Sequence, residues 1–162
     1  MTKEKTPVTP AIRVLRLEKA VFTDHLYEYE EHGGTAVPAR ELGVDEHAVI
    51  KTLIMEDERK NPLIILMHGD LEVSTKELAR ILKVKTITPC TADTATKHTG
   101  YLFGGTSPFG TRKALPVYIE ATILDLPVIY INGGKRGYLV EISPTELVRI
   151  LRPTPVNVGI QR

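Results

Sequence analysis

Val49-Ile50-Lys51-Thr52-Leu53-Ile54-Met55, the polar segment Glu58-Arg59-Lys60-Asn61-Pro62 and the apolar run Leu63-Ile64-Ile65-Leu66-Met67 follow one another in the chain, and their reading decides the fold. Both apolar runs read as strands, and the short turn between them predicts a hairpin. The second run is apolar throughout, as in a strand covered on both faces. The first is interrupted by one lysine, which strand alternation points to the face of Leu53 and Met55. An ammonium among aliphatic side chains costs desolvation free energy unless it reaches water, a partner or an anionic ligand. Lys51 is therefore the leading candidate for a pocket floor, the plainer alternative being a side chain that snorkels to solvent.

Outward from this hairpin, helices and strands are punctuated by capping and turn chemistry. Thr9-Pro10 predicts an N-cap and a first-turn proline for an amphipathic helix reaching about Ala20. A strand centred near Leu26 and Tyr27 follows, then the small-residue loop His32-Gly33-Gly34-Thr35, a short helix ended by Gly43, and a turn capped by Asp45. Beyond the hairpin, Ser74-Thr75-Lys76-Glu77 is a capping box for a helix to about Leu82, and Val84 to Ile87 reads as a strand. A Thr-rich helical stretch runs to Lys97. Pro116 to Glu120, Val128 to Ile131 and Tyr138 to Ile142 read as strands, the last two joined by a turn at Asn132-Gly133-Gly134. Ser143-Pro144-Thr145-Glu146 starts a final helix that Pro153 stops. Paired strands with helices inserted between them lack the alternation of a Rossmann domain, so the expected class is α+β with a mixed or barrel-like sheet.

At 162 residues and 42% hydrophobic content, the chain fits one domain spanning 1–162 that needs neither metal nor disulfide to hold it. The lone Cys90 excludes an internal disulfide framework, and the opening Met1-Thr2-Lys3-Glu4-Lys5 shows no apolar signal region, so a reducing cytoplasm is the expected address. No apolar run has the length of a membrane span. A formal charge of +1 makes no strong global field. Nucleic-acid contact would depend on a partner's surface or on local clusters at Lys76, Arg80, Lys83 and Lys85, at Arg112-Lys113, and at Lys135-Arg136.

Familiar catalytic patterns fail. Gly105 and Gly110 have P-loop spacing, but Thr111-Arg112 stands where Lys-Ser/Thr is required. Cys90 lacks a nucleophile signature, no serine lies in Gly-x-Ser-x-Gly, and His25, His32, His47, His68 and His98 are too scattered to suggest a metal site. An enzyme built from this chain would rely on backbone donors, a lysine and substrate positioning. Two glycine-rich loops could meet Lys51: Gly104-Gly105-Thr106-Ser107-Pro108-Phe109-Gly110 and Gly133-Gly134-Lys135-Arg136-Gly137.

These segments carry a resemblance. Val49 to Leu53, Thr99 to Gly110 and Tyr130 to Gly137, in this order and spacing, resemble the three signature segments of the YbaK/EbsC family. The resemblance implies a compact mixed sheet, partly barrel-like and flanked by helices, similar to the editing domain of bacterial prolyl-tRNA synthetase. It implies a stand-alone deacylase that removes wrongly attached cysteine or alanine from tRNA, with prolyl-tRNA synthetase as partner; the residues themselves suggest no cofactor or metal. By the same resemblance Lys51 matches the essential lysine, Gly104 and Gly105 the pair beside the aminoacyl carbonyl, and Gly133-Gly134-Lys135 the second pocket loop. Thr52, Thr106, Ser107 and Pro108 fall among the expected substrate-binding residues. In the cysteine-specific branch the substrate's own thiol attacks its carbonyl; an alanine-type enzyme uses a positioned water. Two positions depart from the cysteine pattern: Leu139 replaces an aspartate, and Gly33-Gly34-Thr35-Ala36 lacks an aromatic residue. A non-catalytic aminoacyl- or nucleotide-binding regulator is the alternative from another class.

Overall fold

A computed structural model describes residues 6–162; residues 1–5, read above for the absence of a signal region, lie outside them. Helix α1 (Pro10–Leu17) starts where Thr9 Oγ1 accepts from the Ile12 amide at 3.1 Å. It ends three residues before the expected Ala20, at a Glu18 cap. Strand β1 (Phe22–Leu26) and helix α2 (Ala36–Leu42) follow, the latter closed by Gly43 in the left-handed conformation at φ 66°. Asp45 accepts from the His47 amide at 3.0 Å to cap a single 3-10 turn, Glu46–Ala48, which leads into β2 (Val49–Asp57). Strand β3 (Pro62–His68) pairs antiparallel with β2 from Ile50 opposite His68 to Glu56 opposite Pro62, which is the expected hairpin.

Short elements complete the chain: β4 (Leu71–Val73), α3 (Thr75–Leu82), β5 (Ile87–Pro89), α4 (Ala92–Thr99) and β6 (Val117–Glu120). After a 3-10 turn at Ala121–Asp125 come β7 (Ile129–Lys135), β8 (Tyr138–Ile142), α5 (Pro144–Leu151), β9 (Thr154–Val156) and β10 (Gly159–Gln161). The sheet order is β1-β8-β7-β2-β3-β6-β9, with β5 also on β2; β10 and β4 make a separate pair. β2 with β7, β3 with β6 and β6 with β9 are parallel, so the sheet is mixed as expected for α+β.

Alternation along β2 separates two cores. Ile50 and Ile54 pack with Ile12 and Leu15 of α1, Phe109 and Leu147 of α5. Leu53 and Met55 face the other way, toward Leu78 and Ala79 of α3. Three further placements differ from the sequence reading. The strand expected to centre near Leu26 and Tyr27 is β1, which ends at Leu26 because its partner β8 begins opposite it at Tyr138. The strand expected at Val84–Ile87 begins at Ile87, because α3 closes at Lys83 in the left-handed conformation and its cap amide bonds back to the helix. Asn132-Gly133-Gly134 is the end of β7 and not the hairpin turn: a register shift between Asn132 and Lys135 absorbs extra backbone, and the reversal falls at Arg136-Gly137.

Candidate functional site

β2 has a neighbour on its far edge only at its two ends. It pairs with β7 at Val49 and Ile50 and with β5 at Met55 to Asp57. The Val49 carbonyl accepts from Gly69 on the β3 side, and the Ile54 carbonyl accepts from Cys90 on the opposite side at 3.0 Å. Antiparallel alternation between these anchors turns the Thr52 N–H and C=O to the open edge. Thr52 Oγ1 is buried there without a hydrogen-bond partner among the described residues. A cavity of about 570 Å³ occupies this break in the sheet. Among its lining residues are Lys51, Thr52, Tyr29, Gly104, Asn132 and Leu139.

Lys51 lies on the expected face. Its ammonium donates to the Leu71 carbonyl on β4. Burial, and next the Arg162 guanidinium, hold its pKa below the ordinary lysine value, while Glu72, Glu46 and Asp70 act in the opposite sense. Among the described residues no carboxylate lines the cavity, and Lys51 is the only aspartate, glutamate, lysine or arginine in its wall. Cys90 also lines it, yet burial and the Glu56 carboxylate 3.7 Å away push the thiol up to about 11. A thiol so shifted carries almost no thiolate at neutral pH.

The glycine loops divide. Gly104 and Thr106 line the cavity, and Asn132 Nδ2 donates to the Gly104 carbonyl at 3.2 Å. Gly105 does not: its amide donates to the Leu102 carbonyl at 2.9 Å, so it offers no free donor to a bound carbonyl. Ser107 is fully buried with its Oγ accepting from the Phe109 amide, and Pro108 is buried beside it. Gly133 packs under the Tyr138 ring, Gly134 against Tyr101 and Thr9, and Lys135 is exposed; none of the three lines the cavity. Lys51, Thr52, Gly104 and Thr106 are thus brought together, whereas Gly105, Ser107, Pro108, Gly133, Gly134 and Lys135 support the frame around them. Sequence reasoning missed Asn132 and Tyr29, although Asn132 directly precedes the quoted glycine pair.

Residues 31–150 match the model of the aminoacyl-tRNA editing domain. The chain belongs to that family. Among relatives of this editing domain is the Enterococcus faecalis protein named "Putative Cys-tRNA(Pro)/Cys-tRNA(Cys) deacylase EbsC", 27% identical over 152 residues and covering 93% of both chains. A proline-tRNA ligase of Thermodesulfovibrio yellowstonii is 35% identical over 100 residues, which are 60% of this chain and 16% of the ligase. The crystal structure titled as a "putative trans-editing enzyme for prolyl tRNA synthetase" shares the fold with a TM-score of 0.82 at 19% identity, covering 96% of this chain and 99% of that one.

Within the editing domain, Leu139 is 4% exposed and packs with Val49, Ala39 and Tyr130 on the cavity side of the sheet. An apolar floor thus stands where the cysteine-specific pattern has a carboxylate. The histidines are less scattered than the sequence suggests. His47 and His68 stack with centroids 3.6 Å apart, and ligand atoms of both lie within 4.8 Å of one on Asp70. Hydrogen bonds already occupy the cluster: His47 Nδ1 meets Asp70 at 2.9 Å, while His68 uses Nδ1 on the His47 carbonyl and Nε2 on Thr122 Oγ1. With both His68 nitrogens committed, the cluster reads as a brace between β3 and the turn that precedes β2. No helix among the described residues is long and apolar enough to cross a membrane.

Proposed function

We propose that this editing domain acts in trans as an aminoacyl-tRNA deacylase on Cys-tRNA(Pro), with prolyl-tRNA synthetase supplying tRNA affinity. The observation that carries the reading is the open β2 edge, where Lys51, the Thr52 peptide and Gly104 surround one cavity that contains no activated nucleophile. An aminoacyl ester is already activated. Orienting it and offering fixed donors to its developing oxyanion supply several kcal/mol without covalent catalysis.

In this reading the Gly104 and Thr52 amides flank the carbonyl, and the Lys51 ammonium faces the negative charge that develops on it. The substrate thiol gives up its proton and its sulfur forms the new C–S bond. The C–O bond to the ribose then breaks, and the departing oxygen takes a proton to leave a free hydroxyl and a cyclic thiolactone. The shifted Cys90 thiol fits a mechanism in which no protein sulfur attacks. A formal charge of +1 fits weak binding of free tRNA and capture through a partner.

A deacylation panel of Cys-tRNA(Pro), Ala-tRNA(Pro) and Pro-tRNA(Pro), with mass analysis of the released group, tests this. Release of thiolactone from Cys-tRNA(Pro) is the expected outcome. Faster release of free alanine would assign the pocket to the water-dependent chemistry instead, and binding without turnover would assign a regulator.

A further inference from the structure

Leu102 and Phe103 are each 67% exposed, and Phe103 also lines the cavity, so its ring stands at the mouth. Tyr29 lies at the same mouth, its hydroxyl 2.7 Å from where a Gly104 Cβ would be. The Arg136 guanidinium sits 5.2 Å from the Tyr29 ring centroid, and its Nε donates to the Phe103 carbonyl at 2.7 Å. Gly105 packs on the backbone of Lys135 and Arg136, so the two loops form one rim. Neither the core nor the proposed chemistry accounts for an aromatic side chain left exposed at this position.

We propose that Phe103, Tyr29 and Arg136 form a stacking platform for the unpaired 3′ nucleotides of tRNA, those preceding the nucleotide whose ester enters the cavity. The inference rests on the deacylase reading above. An ester bound beside Gly104 on the terminal nucleotide obliges the preceding nucleotides to cross the mouth. Their bases present π-faces to Phe103 and Tyr29, and the phosphates between them meet Lys135 and Arg136, both exposed. Glu28 and Glu31 are exposed on the same segment as Tyr29, and Glu30 pairs with Arg40, so the rim attracts by stacking more than by field. Two apolar side chains on a charged rim suit a flexible strand better than a folded protein, whose interface requires a wider apolar core.

The first arm of the test measures fluorescence anisotropy of an uncharged RNA acceptor hairpin carrying an unpaired 3′ CCA against the same hairpin ending blunt. The wild type should prefer the overhang about tenfold, Phe103→Leu should lose that preference, and Phe103→Trp should keep it. The second arm compares kcat/KM for mischarged tRNA with that for the matching aminoacyl-adenosine; the ratio should fall about tenfold in Phe103→Leu and Arg136→Ala. Equal binding of the two hairpins by the wild type, or an undiminished preference in a folded Phe103→Leu protein, overturns the platform even if the ester is hydrolysed. An overhang preference that depends on Phe103 without hydrolysis of either ester supports the platform and defeats the deacylase reading. Loss of synthetase stimulation in Phe103→Leu with unchanged hairpin preference would reassign the rim to a protein contact and also overturn it.

Discussion

Gly104-Gly105 and Gly133-Gly134 are the same dipeptide in two loops that read as two halves of one pocket, and the structure needs them for different reasons. At Gly133 a Cβ would lie 2.7 Å from the Tyr138 ring, whose neighbours are the largest core of the molecule. Gly134 has φ +101° and its amide donates to Asn132 Oδ1 at 2.6 Å, which fixes the irregular end of β7. At Gly104 (φ +87°) the nearest obstacle is the Tyr29 hydroxyl, the end of a side chain that can swing aside, and the glycine lines the cavity. Gly133 and Gly134 make room for packing, whereas Gly104 brings backbone to the cavity wall and Gly105 packs on the neighbouring loop. Paired glycines announce a close approach; only the neighbours say whether it is to the protein or to a substrate.

Lys51→Met probes the Gly104 side, where the proposed chemistry lies, and should have the largest effect. Deacylation kcat/KM is expected to fall about 10²-fold, the scale of one lost preorganised donor. Stability should move the other way. Lys51 has a folded pKa below its unfolded value, so its charge opposes folding at neutral pH, and this penalty fades as pH rises through the folded value toward 10.5. Calorimetry should show Lys51→Met melting no lower than the wild type at pH 7, with any advantage shrinking in alkali.

The glycine comparison itself is broken or kept by Gly133→Ala against Gly104→Ala. Overpacking at Gly133 should cost about 1–3 kcal/mol, with about 2–4 °C of Tm lost per kcal/mol in a domain of this size. Gly104→Ala should cost less stability, chiefly the strain of a side chain at positive φ, but lower kcat/KM about tenfold by disturbing the donor loop. Equal Tm losses with equal activity losses would erase the distinction.

His68 supplies the smallest effect and a control remote from both loops. Burial holds the His68 pKa below 6.5 and the stacked His47 ring acts in the same sense, while the hydrogen bond to the His47 carbonyl and the Asp70 and Glu120 carboxylates pull it upward. The unfolded chain then takes the proton first, so stability present above about pH 6.5 is lost as pH falls toward the depressed folded value. A Tm series from pH 7.5 to 5 should slope less steeply for His68→Gln than for the wild type, while the ratio of activity on different mischarged tRNAs stays constant.

Local chemistry made much of this legible in the sequence. Thr9, Asp45, Ser74 and Ser143 cap where their side chains can reach an orphan amide, and the β2–β3 hairpin follows from composition and turn. Lys51 was readable because one charge in an apolar strand is a strong anomaly. The small strands β4, β9 and β10 were not, since three residues carry no periodicity and their order comes from distant partners. Glu120, for example, holds β10 in place by accepting from the Val158 and Gly159 amides at 2.7 and 3.1 Å across a long span of chain. The unequal roles of the glycine pairs were equally hidden, because Tyr138 and Tyr29 reach them only in three dimensions.

The break beside β2 also gives the molecule an internal reporter. Thr52 lies in the middle of a nine-residue strand with β3 paired along one side, yet its own amide faces the unpaired edge. In native-state hydrogen exchange this amide should lose its proton far sooner than the Lys51 and Leu53 amides on either side, which are tied to β3. A ligand that fills the cavity and accepts from Thr52 would slow that one exchange selectively, so occupancy can be followed at a single backbone position before any bond is broken.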